Sequence, residues 1–316
     1  MTHSIPPSDV QVPAGRLRQI LEGDVFHSFS KSLVTVVSAV VIVVLVAGAL
    51  FAPLLAPHDP YDLTTISLLD ASKPPVPLQG SDPRFLLGTD DQGRDVLSTI
   101  MYGARISLAV GFSAVLFAIV LGVTLGLVSG YLGGRLDAVI MRIADIQRSF
   151  PSILIALLVD GISRPLIGRE SHENIAIFVL IFAIGISSWV QYARTVRSST
   201  LVEREKEYVQ AAQVIGIGPA LILWRHILPN VMGPVLVIAT IDLAIAIITE
   251  ATLSFLGVGV PPTTPSLGTL IRIGNDYLFS GEWWITIFPA VLLVILVLAI
   301  NLLGDWLRDA LNPKLR

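Results

Sequence analysis

Twenty consecutive residues from Leu33 to Ala52, LVTVVSAVVIVVLVAGALFA, carry no charge and no proline, and no other stretch limits the possible folds as sharply. About twenty apolar residues in a helix cross the ~30 Å hydrocarbon core of a bilayer. Lipid offers the backbone no hydrogen-bond partner, so a run of this kind must be helical. It is too long, and starts too late, for the apolar centre of a signal peptide, and it reads as an uncleaved first span. Pro53, Pro57 and Pro60 end it.

Five further apolar runs follow, at about 106–128, 138–159, 175–190, 231–255 and 285–303. The chain is 53% hydrophobic and only 14% charged, against ~25% charged in soluble domains. The expected fold class is an all-α integral membrane protein with six transmembrane helices. In the second run Gly122, Gly126 and Gly130 recur every four residues, a spacing that lets two helices meet backbone to backbone. Packing within the chain is expected there rather than a dimer seam. The third run is the least apolar. Arg142, Asp145 and Arg148 stand three apart at its start and can pair along one helix face, and Pro151 predicts a kink. The sixth run carries Pro289, and Trp283 and Trp284 sit at its interfacial end.

Composition also excludes several kinds of chemistry. A net charge of −3 with no basic stripe argues against a nucleic-acid partner. There is no cysteine for disulfides, thiol catalysis or metal binding, and the five histidines lack ligand spacing. None of the four lysines follows a glycine, so the chain has no phosphate loop of its own. Ser198-Ser199 and Asp90-Asp91 read as plain surface pairs. The expectation is a chain that is not an enzyme and binds no cofactor or metal.

Between the first two runs lies a long polar segment, 53–105. Within it Val96, Leu97, Ile100, Met101 and Ala104 fall on one helical face. This predicts an amphipathic helix, either lying on the membrane surface or packed on neighbouring loops. With the N-terminus inside, fourteen lysines and arginines fall on the inner side and seven on the outer. The positive-inside rule therefore places both termini in the cytoplasm.

The densest polar chemistry lies between the fourth and fifth runs, in EYVQAAQVIGIGPALILWRHILPN, Glu207 to Asn230. Glu203 to Ile215 contains no Gly or Pro, and Val202, Tyr208, Val209, Ala212 and Ile215 form one apolar stripe, which predicts a short helix. Glu203 stands at its exposed start. Gly216 stops it, and Pro219 suits the first turn of a second helix. Ala211 and Ala212 are small enough to let another surface come close. On spacing alone, a polar connector between buried helices fits equally well. In the fifth run Asp242 and Glu250 are the only acids deep within a span. An acid at mid-membrane costs about 2.5–3.5 kcal/mol, so this helix should turn both toward the protein interior. They are candidates to line a polar pathway. The alternative is a hydrogen-bonded brace between helices.

Four stretches resemble one family. Ala211-Ala212, Gly216 and Ile227-Leu228-Pro229 resemble the EAA loop of bacterial ABC importer permeases, with Gln210 where the family has Glu and Glu207 one turn earlier. GTDDQGRD, Gly88 to Asp95, resembles the signature of the dipeptide, oligopeptide and nickel subfamily. EATLSFLG, Glu250 to Gly257, and Arg142, Asp145, Phe150 and Pro151 also follow the family pattern. The resemblance implies the type I (MetI-like) ABC importer permease fold with a cytoplasmic coupling helix, built on Glu207, Tyr208, Gln210, Ala211, Ala212, Gly216, Pro219 and Pro229. It implies a cytoplasmic segment 1–30, a span and external loop 31–104, a transmembrane domain 105–304 and a cytoplasmic tail 305–316. It further implies a bacterial plasma (inner) membrane location and four kinds of partner: a second homologous permease subunit, two ATPase subunits that use ATP and Mg, an extracytoplasmic substrate-binding protein, and lipid. A nickel or other small-solute permease of the same subfamily is the nearer alternative. A proton-coupled secondary transporter is the more distant one; it would need an internal inverted repeat that the sequence does not show.

Overall fold

Long apolar helices satisfy their own backbone hydrogen bonds, as a bilayer requires, and the chain is built largely of them. The computed structural model describes residues 29–310 except 63, 65, 168 and 262, with 167 and 169–174 as backbone only. The helices are α1 Leu33–Leu50, α2 Ala52–Leu55, α3 Val96–Leu132, α4 Gly134–Arg148, α5 Ser152–Ile167, α6 Arg169–Glu203, α7 Glu207–Val214, α8 Pro219–Ile222, α9 Leu228–Phe255, α10 Leu267–Tyr277 and α11 Trp284–Ala310. Polar caps start three of them: Ser32 accepts from the Thr35 N–H at α1, Asp95 from Ser98 at α3, and Ser266 from Thr269 at α10. Among the described residues five helices are long and apolar enough to cross a membrane, or six if α4 and α5 together make one.

That pair is the main departure from the expected spans. The third run does not form one kinked helix. It breaks at 149–151 and turns through 94°. Pro151 has no N–H to donate and its ring collides with the carbonyl four residues back. Asp145 also leaves its own helix face and pairs with Arg194 of α6. Nearby, Arg197 grips Asp137 through two bonds of 2.5 and 2.6 Å, so α4 is held to α6 by charge.

The expected surface helix before the second span is the beginning of α3 itself. Val96, Ile100 and Ala104 are buried in a cluster with Leu267, Leu270, Trp284 and Ile285 of α10 and α11, and Ser98 and Thr99 on the polar side are buried too, Ser98 accepting from the His58 N–H. The expected fourth, fifth and sixth spans fall within α6, α9 and α11. The loop 256–283 holds α10, which the sequence analysis did not anticipate. The expected segment 1–30 lies almost wholly outside the described residues. Of the tail 305–316, residues 305–310 continue α11 and the rest lie outside the described residues.

The three spaced glycines do what their spacing implies, within the chain. A Cβ at Gly122 would sit 2.6 Å from the Trp189 carbonyl oxygen, at Gly126 2.6 Å from that of Ala193, and at Gly130 2.8 Å from that of Arg197. The backbones of α3 and α6 thus touch along three successive turns. At the opposite end from α7, the GTDDQGRD segment is a knot. Asp90 is buried and accepts from the Arg94 backbone N–H and its Nε, Trp284 Nε1 donates to the Thr89 carbonyl, and the Tyr277 hydroxyl donates to Asp91. Asp90-Asp91 is therefore no plain surface pair. Together with Thr89 it joins the ends of α3, α10 and α11.

Candidate coupling site

The helix expected from Glu203 begins instead at Glu207, because α6 runs on to Glu203 and the chain resets at Lys206 (φ −76°, ψ 148°). Arg204 holds the intervening turn by donating to the Gly130 carbonyl at the end of α3. Glu207–Val214 ends at Gly216 as expected. At φ +83° Gly216 allows its own N–H to reach the Gln213 carbonyl and that of Ile217 to reach Ala212, both at 3.0 Å. Pro219 opens α8.

α8 does not pass into α9 as regular helix. Leu223–Ile227 forms a π turn, in which the Leu228 N–H reaches the Leu223 carbonyl. Pro229, in the first turn of α9, supplies the reason: it has no N–H for the Arg225 carbonyl, and its ring pushes that carbonyl aside.

The stripe assigned to α7 divides in two. Val209 and Ala212 are buried in one apolar cluster with Ile222, Ile227 and Val231, packed on Val123 and Leu127 of α3 and Tyr192 and Val196 of α6. The surface that comes close to Ala212 therefore belongs to the chain itself. Ile215 points the other way, 74% exposed, beside Val214 at 87%, and Leu221 (51%) and Trp224 (65%) are exposed on the second half of the loop. Glu207, Gln210, Ala211, Pro219 and Pro229 are also exposed. Four large apolar side chains on one short loop form an apolar crest that water disfavours. Val214, Leu221 and Trp224 escaped the sequence analysis because an apolar residue on a short helix reads as core until its partner helix is known.

Polar contacts fix the loop to the bundle. The Tyr208 hydroxyl donates to Glu203 Oε2 at the end of α6, and Asn230 Nδ2 donates to the Tyr208 oxygen at 3.1 Å. Glu203 is thus a bonded residue rather than an idle one; Lys206 also donates to it at 2.7 Å. Burial, and then the Glu203 carboxylate, raise the Tyr208 pKa above the ordinary phenol value, so the hydroxyl keeps its proton at neutral pH.

The two acids of α9 are both hydrogen-bonded inside the bundle. Asp242 is buried and accepts from the Tyr192 hydroxyl of α6 at 2.9 Å. Glu250 is wholly buried and accepts from Ser107 of α3 and Ser254, each at 2.7 Å. Those serines in turn accept from the Leu267 and Val260 amides, which tie in the start of α10. The two acids, expected as candidate pathway lining or as a hydrogen-bonded brace, bond to different helices, Asp242 to α6 and Glu250 to α3, and both are buried in this conformation. Hydroxyl donors offset the cost of burying each carboxyl.

This arrangement of spans, broken helix and exposed loop has counterparts among known proteins. Residues 122–316 match the binding-protein-dependent transport system inner membrane component family, and residues 23–75 match the N-terminal TM domain of oligopeptide transport permease C. The chain belongs to this inner membrane component family. As a member it is 40% identical over 291 residues to the dipeptide transport system permease protein DppC of Escherichia coli K12, covering 92% of each chain. It is 39% identical over 293 residues to the oligopeptide transport system permease protein OppC of Bacillus subtilis, covering 93% of this chain and 90% of that one. It is also 39% identical over 268 residues to a di/tripeptide transport system permease protein of Pseudomonas aeruginosa, covering 85% and 84%. Its fold is similar to a chain of the MetNI methionine ABC transporter in an inward-facing conformation, with a TM-score of 0.52 at 23% identity, covering 68% of this chain and 96% of that one.

Proposed function

We propose that this inner membrane component is one permease subunit of an ATP-driven importer for dipeptides or oligopeptides, with both termini in the cytoplasm. It pairs with a second, related permease subunit and receives substrate from an external binding protein. Two ATPase subunits dock on its α7–α8 loop and on its partner's equivalent, and they alone use ATP and Mg. When ATP draws the ATPase pair together, the loop moves and the permease pair opens outward; after hydrolysis it opens inward. This chain contributes a path and a moving part, and no bond chemistry.

The observation that carries the reading is the apolar crest of Val214, Ile215, Leu221 and Trp224, on a loop anchored by a buried inner face. An exposed Trp amid smaller apolar groups is the usual make-up of a binding hot spot. The positive-inside asymmetry puts this loop on the side where ATP is found. The names of the relatives supply the substrate class. The test is Trp224→Ala. Losing a hot spot costs about 2 kcal/mol or more, a drop in docking affinity of roughly thirtyfold. The permease should reach the membrane at normal levels while its ATPase subunits no longer co-purify and ATP-driven dipeptide uptake stops. Full retention of the ATPase subunits with Trp224→Ala and Val214→Asp combined would refute docking at this crest.

A further inference from the structure

The apolar inner face explains why α7 stays on the bundle, but it does not explain where the Tyr208 hydroxyl lies. Tyr208 is at the edge of that face, with 38% of the residue exposed. Its hydroxyl meets three elements. It donates to Glu203, the last residue of α6; it accepts from Asn230 Nδ2 in the first turn of α9; and it lies 3.4 Å from the His226 carbonyl in the π turn. Asn230 Nδ2 also donates to that carbonyl, at 2.7 Å. The other side-chain bonds of α7 lead elsewhere: Gln210 to the Glu205 carbonyl, Gln213 to Tyr131 of α3. Among the described residues, the side-chain hydrogen bonds from α7 to α6 and α9 all pass through this one oxygen.

We propose that Tyr208 is a positioning residue: its hydroxyl is the tie through which a displacement of α7 reaches α6 and α9 together. The proposal rests on the importer reading above and names the part that transmits its motion. Two features make the location apt. The π turn between α8 and α9 is a widened turn whose hydrogen bonds are already irregular, so the base of α9 can shift relative to the loop unless something holds it. The bond to Glu203 is charge-assisted and directional, so it passes on the orientation of α7, which apolar contact alone transmits loosely. α9 and α6 are also the helices joined by the Asp242–Tyr192 bond, so a paired displacement leaves that brace intact.

The test uses the complete importer in proteoliposomes and reads peptide moved per ATP hydrolysed, a ratio that mere stability does not change. Tyr208→Phe keeps the ring and removes the hydroxyl. It should assemble with its ATPase subunits and hydrolyse ATP at the wild-type rate, while the transport ratio falls about tenfold, the effect of losing one charge-assisted hydrogen bond. Glu203→Leu should lower the ratio similarly, the double variant should be no worse than either single one, and Glu203→Gln, which keeps an acceptor, should restore most of it. An unchanged ratio in Tyr208→Phe overturns the proposal. So does loss of the ATPase subunits from that variant, which would make Tyr208 a docking residue. A wild-type complex that moves no peptide with ATP overturns the importer reading, and this inference with it, before any variant is compared.

Discussion

A single methyl group at Gly126 tests the packing on which the bundle depends. In Gly126→Ala the new Cβ would stand 2.6 Å from the Ala193 carbonyl oxygen and 2.8 Å from Val196 Cβ, where ordinary contacts begin at 3.4 Å. The nearest atoms include backbone of α6, which cannot swing away as a long side chain would. The helices must part by several tenths of an ångström. A gap of 0.5–1 Å forfeits roughly a quarter to a half of each dispersion contact along the seam. Overpacking of this kind costs about 1–3 kcal/mol, and about 2 kcal/mol moves the unfolding equilibrium roughly thirtyfold. The control is Gly161→Ala, where nothing lies within 4 Å of the new methyl, so gained helix propensity should leave it neutral or slightly stabilising. Both are measured by unfolding of the detergent-solubilised chain in increasing sodium dodecyl sulfate. Gly126→Ala as stable as Gly161→Ala would refute the backbone-to-backbone contact between α3 and α6.

Ala212→Glu places a charge in the apolar cluster under α7, at a cost of roughly 3–5 kcal/mol against a total stability of about 5–15. The permease itself should fall to low levels in membranes, whereas Ala211→Glu, one residue away on the exposed side, should keep normal levels and lose its ATPase subunits; immunoblots and co-purification decide, and equal levels of the two variants would sink the assignment of faces. Because the chain has no cysteine, its orientation can be read without background: single cysteines at Leu69 and Ser280 should react with an impermeant thiol reagent in intact cells, the outer barrier being permeabilised if present, while one at Val214 should react only after lysis. Labelling of Val214 from outside would invert the topology.

Much of this was legible in the sequence because membranes impose length and glycine imposes closeness. The apolar runs marked where the long helices lie, though α3 starts ten residues earlier and α6 runs thirteen residues further than expected, the glycine spacing marked the α3–α6 contact, and Gly216 and Pro219 marked the turn of the α7–α8 loop. What escaped depended on distant partners. Val209 and Val214 are chemically identical, yet only the position of α3 and α6 decides that one is buried and the other 87% exposed. Glu203 looked like the free start of a new helix because nothing local shows that α6 extends to it. Nothing local shows which hydroxyls meet Glu250, because Ser107, one of its partners, lies 143 residues away in the chain. The break at Pro151 was foreseen, but its size was not, since a kink and a right-angled turn share one sequence signal.

The contact between α3 and α6 also has a mechanical consequence. At 37 and 35 residues these are the longest helices among the described residues, each about 50–55 Å long, and glycines bring their backbones together over three turns. Two rods fixed along their length bend far less than either alone, so the pair behaves as a single stiff beam. A tilt of about 5° at one end of a ~50 Å beam carries the other end about 4 Å, wider than a water molecule. A small tilt at the α7 end would therefore reach the opposite end of the pair as a displacement of that order rather than being absorbed along the way, whereas the breaks at 149–151 and in the π turn divide the neighbouring helices into shorter segments.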